Sequence, residues 1–151
     1  MIEELERALG APVTSAVQLA GGASKESWAV DLADGSELVV RRAGGGRIHR
    51  DALSLRDEFD VLLAAREAGV RVPEPLAYLG ELQGREAFAM TRARGETVGR
   101  RIVRQPPAGL AEELATELAR IHRIPPARLP SLPREELFRR LYAEPDLVDE
   151  P

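Results

Sequence analysis

Apolar residues at Ile2, Leu5 and Leu9 recur at helical spacing, and Gly10 and Pro12 stop the short helix they predict. The rhythm then shortens to alternation. Val13 to Leu19 reads as a strand, Trp28, Val30 and Leu32 mark a second, and Glu37 to Arg42, with Leu38, Val39 and Val40 at its centre, a third. Asp34-Gly35 supplies the hairpin turn between the last two, and Gly44-Gly45-Gly46 predicts a loop. From Ser54 to Ala68 the period returns to 3.6, because Leu55, Phe59, Leu62 and Leu63 share one helix face. Ser54 followed three residues later by Asp57 resembles a capping box, and Gly69 can end the helix. Val72-Pro73-Glu74-Pro75 is an extended link, after which Leu76 to Leu79 and Ala87 to Thr91 read as strands around a Gln83-Gly84 turn.

No strand-like segment follows Gly95. Pro106-Pro107 precedes a second long helix whose expected buried face carries Leu110, Leu114, Leu118 and Ile121, and Pro125-Pro126 closes it. His122 falls near that face and reads as a packing residue. Pro130, Pro133, Pro145 and the acidic end from Asp146 to Glu150 read as a last short helix fraying into a tail, whose Leu137, Phe138 and Leu141 can cover only part of the apolar stripe, so that stripe is expected to stay largely exposed. The pattern predicts an α+β architecture of five antiparallel strands and one packed helix over residues 1–93, then the first helices of a helical region over 94–151.

Composition narrows the function. A chain of 151 residues buries one core of ordinary size. No apolar run approaches the ~18 residues of a spanning helix, and the N-terminus is acidic where a targeting signal is basic, so a cytoplasmic protein without membrane association is expected. Without cysteine, and with only His49 and His122, thiolate chemistry and a zinc cluster have no ligands. A net charge of −4 argues against nucleic acid as partner, although Arg41, Arg42, Arg47 and Arg50 cluster and could form a local phosphate site. Of the 21 basic residues only Lys25 is a lysine, so an arginine where lysine is usual can reflect compositional drift.

Several weak motifs stand in order: Leu19-Ala20-Gly21-Gly22-Ala23-Ser24, then Leu38-Val39-Val40-Arg41-Arg42, Glu58-Phe59, Val72-Pro73-Glu74-Pro75, Met90-Thr91-Arg92-Ala93-Arg94-Gly95-Glu96 and Leu118-Ala119-Arg120-Ile121-His122. Together they resemble the N-terminal part of the aminoglycoside phosphotransferase and choline kinase-like family, and the resemblance runs over almost the whole chain. It implies a kinase-like N-terminal lobe that binds ATP and a family activity of phosphorylating a small-molecule hydroxyl. Under that resemblance Gly21 and Gly22 let the backbone approach a triphosphate, with hydroxyl donors from Ser24 and Ser27. Taken alone, the two glycines also describe a plain hairpin turn. Arg41 would hold the phosphates with Glu58 holding Arg41 in place, Arg42 being able to share the role, although a structural salt bridge is the equal alternative. Glu58 borders the apolar helix face, whereas Asp57 and Asp60 project away from it. Met90, Thr91, Arg92 and Ala93 would line the adenine pocket.

His49-Arg50-Asp51 looks like the start of a protein-kinase catalytic loop, but position 56 is Arg56 where that loop needs asparagine, and the tripeptide precedes the first long helix. It reads as a loop and helix start. The family's second half brings a His-Gly-Asp loop, an asparagine and a magnesium-binding aspartate, and this sequence contains no such run. No catalytic or metal-binding residue is therefore assigned, magnesium is expected only with the missing lobe, and the chain reads as a truncated nucleotide cradle, incompetent in catalysis alone. The alternative is a non-catalytic kinase-like binding or dimerisation module, self-associating through an exposed helical face.

Overall fold

The computed structural model describes residues 1–20, 25–45 and 53–130. Among these the order of elements is α1 (Ile2–Leu9), β1 (Val13–Gln18), β2 (Lys25–Leu32), β3 (Glu37–Ala43), α2 (Leu55–Glu67), β4 (Pro75–Leu82), β5 (Arg85–Thr91), α3 (Gly99–Arg104) and α4 (Leu110–His122), then a 3-10 turn at Pro126–Arg128. The strands make one antiparallel sheet in the order β1-β2-β3-β5-β4, the α+β arrangement that the alternation predicts. Chain punctuation falls where left-handed backbone is needed. Gly10 (φ 66°) ends α1 by returning its N–H to the Glu6 carbonyl, and Gln83 and Gly84 (φ 53° and 70°) give the two positive φ values of a tight β4–β5 hairpin.

Pleating divides β3 between two faces: Leu38, Val40 and Arg42 point one way, and Val39, Arg41 and Ala43 the other. On the first face Val30, Val40, Ala87 and Ala89 pack around Leu5 of α1, which is fully buried and contributes on the order of 2 kcal/mol. Helix α1 touches both β1 and β4, the two edge strands. The opposite face carries Phe88 and Met90 against Leu55 and Phe59 of α2, with the Phe59 and Phe88 rings edge to face at 5.7 Å. This second helix begins at Ser54, whose Oγ accepts the Asp57 N–H at 3.0 Å and donates to the Asp57 carboxylate.

Three expectations change. Leu63 is exposed, and Ala64 and Ala65 are buried in its stead against Val70 and Ile124, because α2 has a second neighbour beyond the sheet. Helix α3 carries no apolar period and no buried residue, which is why pattern alone passes over it. Helix α4 forms where predicted, and its apolar stripe is largely uncovered, as an exposed helical face requires: Leu114, Leu118 and Ile121 are 60%, 52% and 47% exposed and Leu110 is half-buried, but His122, expected to pack, is exposed too. Periodicity reports that a helix has an apolar face, and cover must come from another element. What ties α4 to the sheet half is polar, namely Arg71 bonded to Glu113 and Glu117, with Ile124 packing on α2 just past the helix end. Gly46, His49-Arg50-Asp51, Leu137, Phe138, Leu141 and the acidic end lie outside the described residues.

Candidate functional site

The register of β2 on β3 sets Lys25 opposite Ala43 and Ser27 opposite Arg41, so Lys25, Ser27 and Arg41 share the face covered by α2. One turn into that helix, Glu58 points back at the sheet with its side chain 22% exposed. Its Oε2 lies 3.4 Å from Arg41 Nε, the pairing expected from helical phase. Its Oε1 accepts from Lys25 Nζ, which donates also to the Leu53 carbonyl at 2.8 Å. The carboxylate thus bridges two cations, one from each of two adjacent strands.

Lys25 is the residue that sequence reasoning missed. Its signals were available: it is the only lysine, and it stands two residues before Ser27, on the same strand face. Asp57 and Asp60 turn away from Arg41 to Ser54 and Arg56 respectively.

Arg42 does not share the role of Arg41. Alternation sends it to the α1 face, 8% exposed, where Nε and Nη2 bond Glu26 Oε2 at 3.1 and 2.6 Å, Nη1 bonds Gln83, and the guanidinium lies 5.8 Å from the Trp28 ring centroid. Glu26 accepts also from Arg85 at 3.0 Å. The Arg42 hydrogen bond, helped by the Trp28 indole and by Arg85, holds the Glu26 carboxyl below the usual carboxylate range despite its burial.

The segment expected to receive adenine is already partly committed. Met90 packs on the Phe59–Phe88 cluster as a core residue. Thr91 donates its N–H to the Glu74 carbonyl at 2.9 Å, and the Arg92 N–H bonds the Glu37 carbonyl at 3.1 Å. The Arg92 side chain bridges Asp31 and Glu37, at 3.0 and 2.6 Å. With Arg94 and Arg92 beside it, the Glu37 carboxyl is also held low. Ala93 is exposed. The Thr91 and Arg92 amides therefore have no free N–H to offer a ligand.

The donor set suits an anionic polyphosphate. Arg41 Nε is buried without a hydrogen bond while its side chain is 35% exposed, and Lys25 and the Ser27 position share its face. Gly21, Gly22 and Ser24 lie outside the described residues. Among the described residues no group of three His, Cys, Asp or Glu could hold a metal ion. A cavity of about 420 Å³ lies elsewhere, along α3, lined by Glu96, Arg101, Ile102, Arg104, Gln105 and Pro107.

Residues 15–150 match the model of the phosphotransferase enzyme family. A solved structure from Thermobifida fusca, described as a candidate fructosamine-3-kinase, has the same fold, with a TM-score of 0.51 and 19% identity over 80% of this chain and 38% of that one. The chain here thus spans under two fifths of that protein's length. Curated proteins give no match.

Proposed function

The chain belongs to the phosphotransferase enzyme family, and from that premise we propose that residues 1–93 form the nucleotide-holding lobe of an ATP-dependent phosphotransferase acting on a small-molecule hydroxyl. Residues 94–151 begin its helical lobe. The observation that carries this reading is the Glu58 carboxylate set between Arg41 and Lys25 on the strand face that follows Gly21-Gly22-Ala23-Ser24. In kinase-like sites a cation so held positions phosphates, and catalysis is then mostly positioning and electrostatic stabilisation. ATP, when bound, supplies the phosphoryl group. Arg41 and Ser27 would hold its phosphates, Gly21, Gly22 and Ser24 cover them, and the Met90–Ala93 link border the base.

Acid–base and magnesium-binding residues are not assigned in these 151 residues, so the polypeptide alone should hold ATP without transferring phosphate to aminoglycosides, choline or other small alcohols. Equilibrium dialysis with ATP, alongside mass spectrometry of acceptor mixtures, tests both halves. Failure to retain ATP at millimolar concentration sinks the nucleotide reading. Magnesium-dependent turnover that follows the chain through purification sinks the incompetence.

A second reading, a cytoplasmic binding module that self-associates, is favoured by the exposed Leu114, Leu118 and Ile121 stripe of α4. Light scattering over a concentration series should then show association that Leu118→Glu reduces. A monomer at every concentration removes this reading. No described helix is long and apolar enough to cross a membrane.

A further inference from the structure

Glu58 has more positive charge around it than a structural ion pair needs. Pinning α2 to the sheet takes one cation, and here Oε1 faces Lys25 while Oε2 faces Arg41, leaving the trio with a surplus of one positive charge at side-chain exposures of 14%, 22% and 35%. Like charges crowded at a half-buried place are unfavourable unless an anion or solvent offsets them. Among the described residues no other carboxylate is in contact with Lys25 or Arg41: Glu86 is held by neutral donors, the Tyr78 hydroxyl and the Leu55 N–H, Asp57 is bonded to Ser54, and Asp60 pairs with Arg56.

The chemistry at position 25 is also specific. In a chain whose other basic residues are all arginine, this position has the one ammonium, a compact charge with three donors that can turn among acceptors. Two of its protons have acceptors among the described residues, Glu58 Oε1 and the Leu53 carbonyl. A third remains to be directed. Lys25 follows directly on Gly21-Gly22-Ala23-Ser24 in the sequence and lies diagonally across the strand pair from Arg41, so both cations reach Glu58 from one face of the sheet.

We propose that Lys25 is a second phosphate-binding residue of this site, with Glu58 holding Lys25 and Arg41 as a two-cation seat for the polyphosphate of a nucleoside triphosphate. This rests on the nucleotide reading above and adds a ligand from β2 to the one from β3. The ammonium gives a mobile point charge, and the guanidinium a planar fork.

Being the only lysine, Lys25 can be interrogated in the unaltered chain. Acetylation with a limiting amine-selective reagent, read by mass spectrometry, reports on Lys25, with the N-terminal amine as internal reference. ATP and inorganic tripolyphosphate at saturation should each slow Lys25 acetylation about fivefold or more relative to that reference, whereas adenosine should not. Lys25→Met should weaken ATP binding about tenfold with adenosine binding unmoved, and Lys25→Arg should recover most of the loss. If the chain binds ATP by dialysis but ATP leaves Lys25 acetylation unchanged, the Lys25 assignment falls and the nucleotide reading stands. If it binds no ATP, both fall. Should Lys25→Met fail to fold, the acetylation result decides alone.

Discussion

Arg41 and Arg42 are neighbours in sequence on opposite faces of one sheet, and the two faces treat them differently. On the α1 face Arg42 is saturated: Glu26 takes two of its donors, Gln83 a third, and Trp28 lies beneath it. Across the sheet Arg41 has one ion contact at 3.4 Å, a buried Nε without a hydrogen bond, and a second cation competing for the same carboxylate. A residue satisfied on every side has little to gain from a ligand. One left short of acceptors in an electropositive setting is where an anion lowers the energy most. The comparison teaches that an arginine pair in a strand is not one feature. Pleating gives one member a full set of partners and leaves the other with a donor unfilled.

The largest effect should come from breaking the saturated face. Arg42→Ala removes the closer and more buried of the two arginine partners of Glu26, leaving Arg85, together with the cation over Trp28, and should cost about 2 kcal/mol, read as a lower denaturant midpoint at unchanged slope. Arg41→Ala should cost under about 1 kcal/mol, since its ion contact is long and partly exposed and Lys25 still serves Glu58. The same variant should weaken ATP binding about tenfold or more, while Arg42→Ala at a temperature where it remains folded should not. Equal stability losses for both variants would show that the two faces do not differ in kind.

Much of this was legible in the sequence. Alternation gave the five strands, Ser54 and Asp57 gave the start of α2, and helical phase put Glu58 toward Arg41. Two physical facts hid the rest. Whether Arg41 or Arg42 faces α2 depends on strand register, and a one-residue slip exchanges them, so sequence left both open. The contact of Lys25 with Glu58 spans 33 positions and depends on β2 and α2 meeting on one face, which no local pattern encodes. The uncovered stripe of α4 was expected, but His122 was not placed correctly, since an apolar stripe specifies a face and says nothing of what covers it.

A smaller effect follows from the depressed Glu26 carboxyl. A carboxyl held low in the fold favours folding at any pH above its unfolded value, near 4.5, and that contribution disappears as pH falls through the folded value. Stability measured from pH 6 downward should therefore decline, and Glu26→Gln should flatten part of the decline while lowering stability at neutral pH. Glu37 and Glu117, also held low, keep a residual slope. An acid profile unchanged by Glu26→Gln would mean that the saturated face owes its stability to packing on Trp28 and not to the ion pair.

The smallest effect is the control that says what separates Arg42 from an ordinary surface arginine. Arg71 is as well supplied with partners: its Nη2 bonds Glu113 at 2.9 Å, and its Nε and backbone N–H bond Glu117 at 2.8 and 2.9 Å, holding α4 to the chain before β4. The backbone N–H and the guanidinium hold the Glu117 carboxyl low, and the two carboxylates raise Arg71. Yet the Arg71 side chain is 62% exposed where Arg42 is 9%. Exposed pairs of this kind spend most of their attraction on ordering long side chains and are screened by salt, the Debye length being about 3 Å at 1 M. Arg71→Ala should therefore move the melting temperature least of the four variants, and in 1 M sodium chloride the shift should vanish, while the Arg42→Ala loss persists. A loss at Arg71 as large as that at Arg42, undiminished by salt, would show that the number of partners and not their burial decides, and the distinction between the two sheet faces would lose its physical basis.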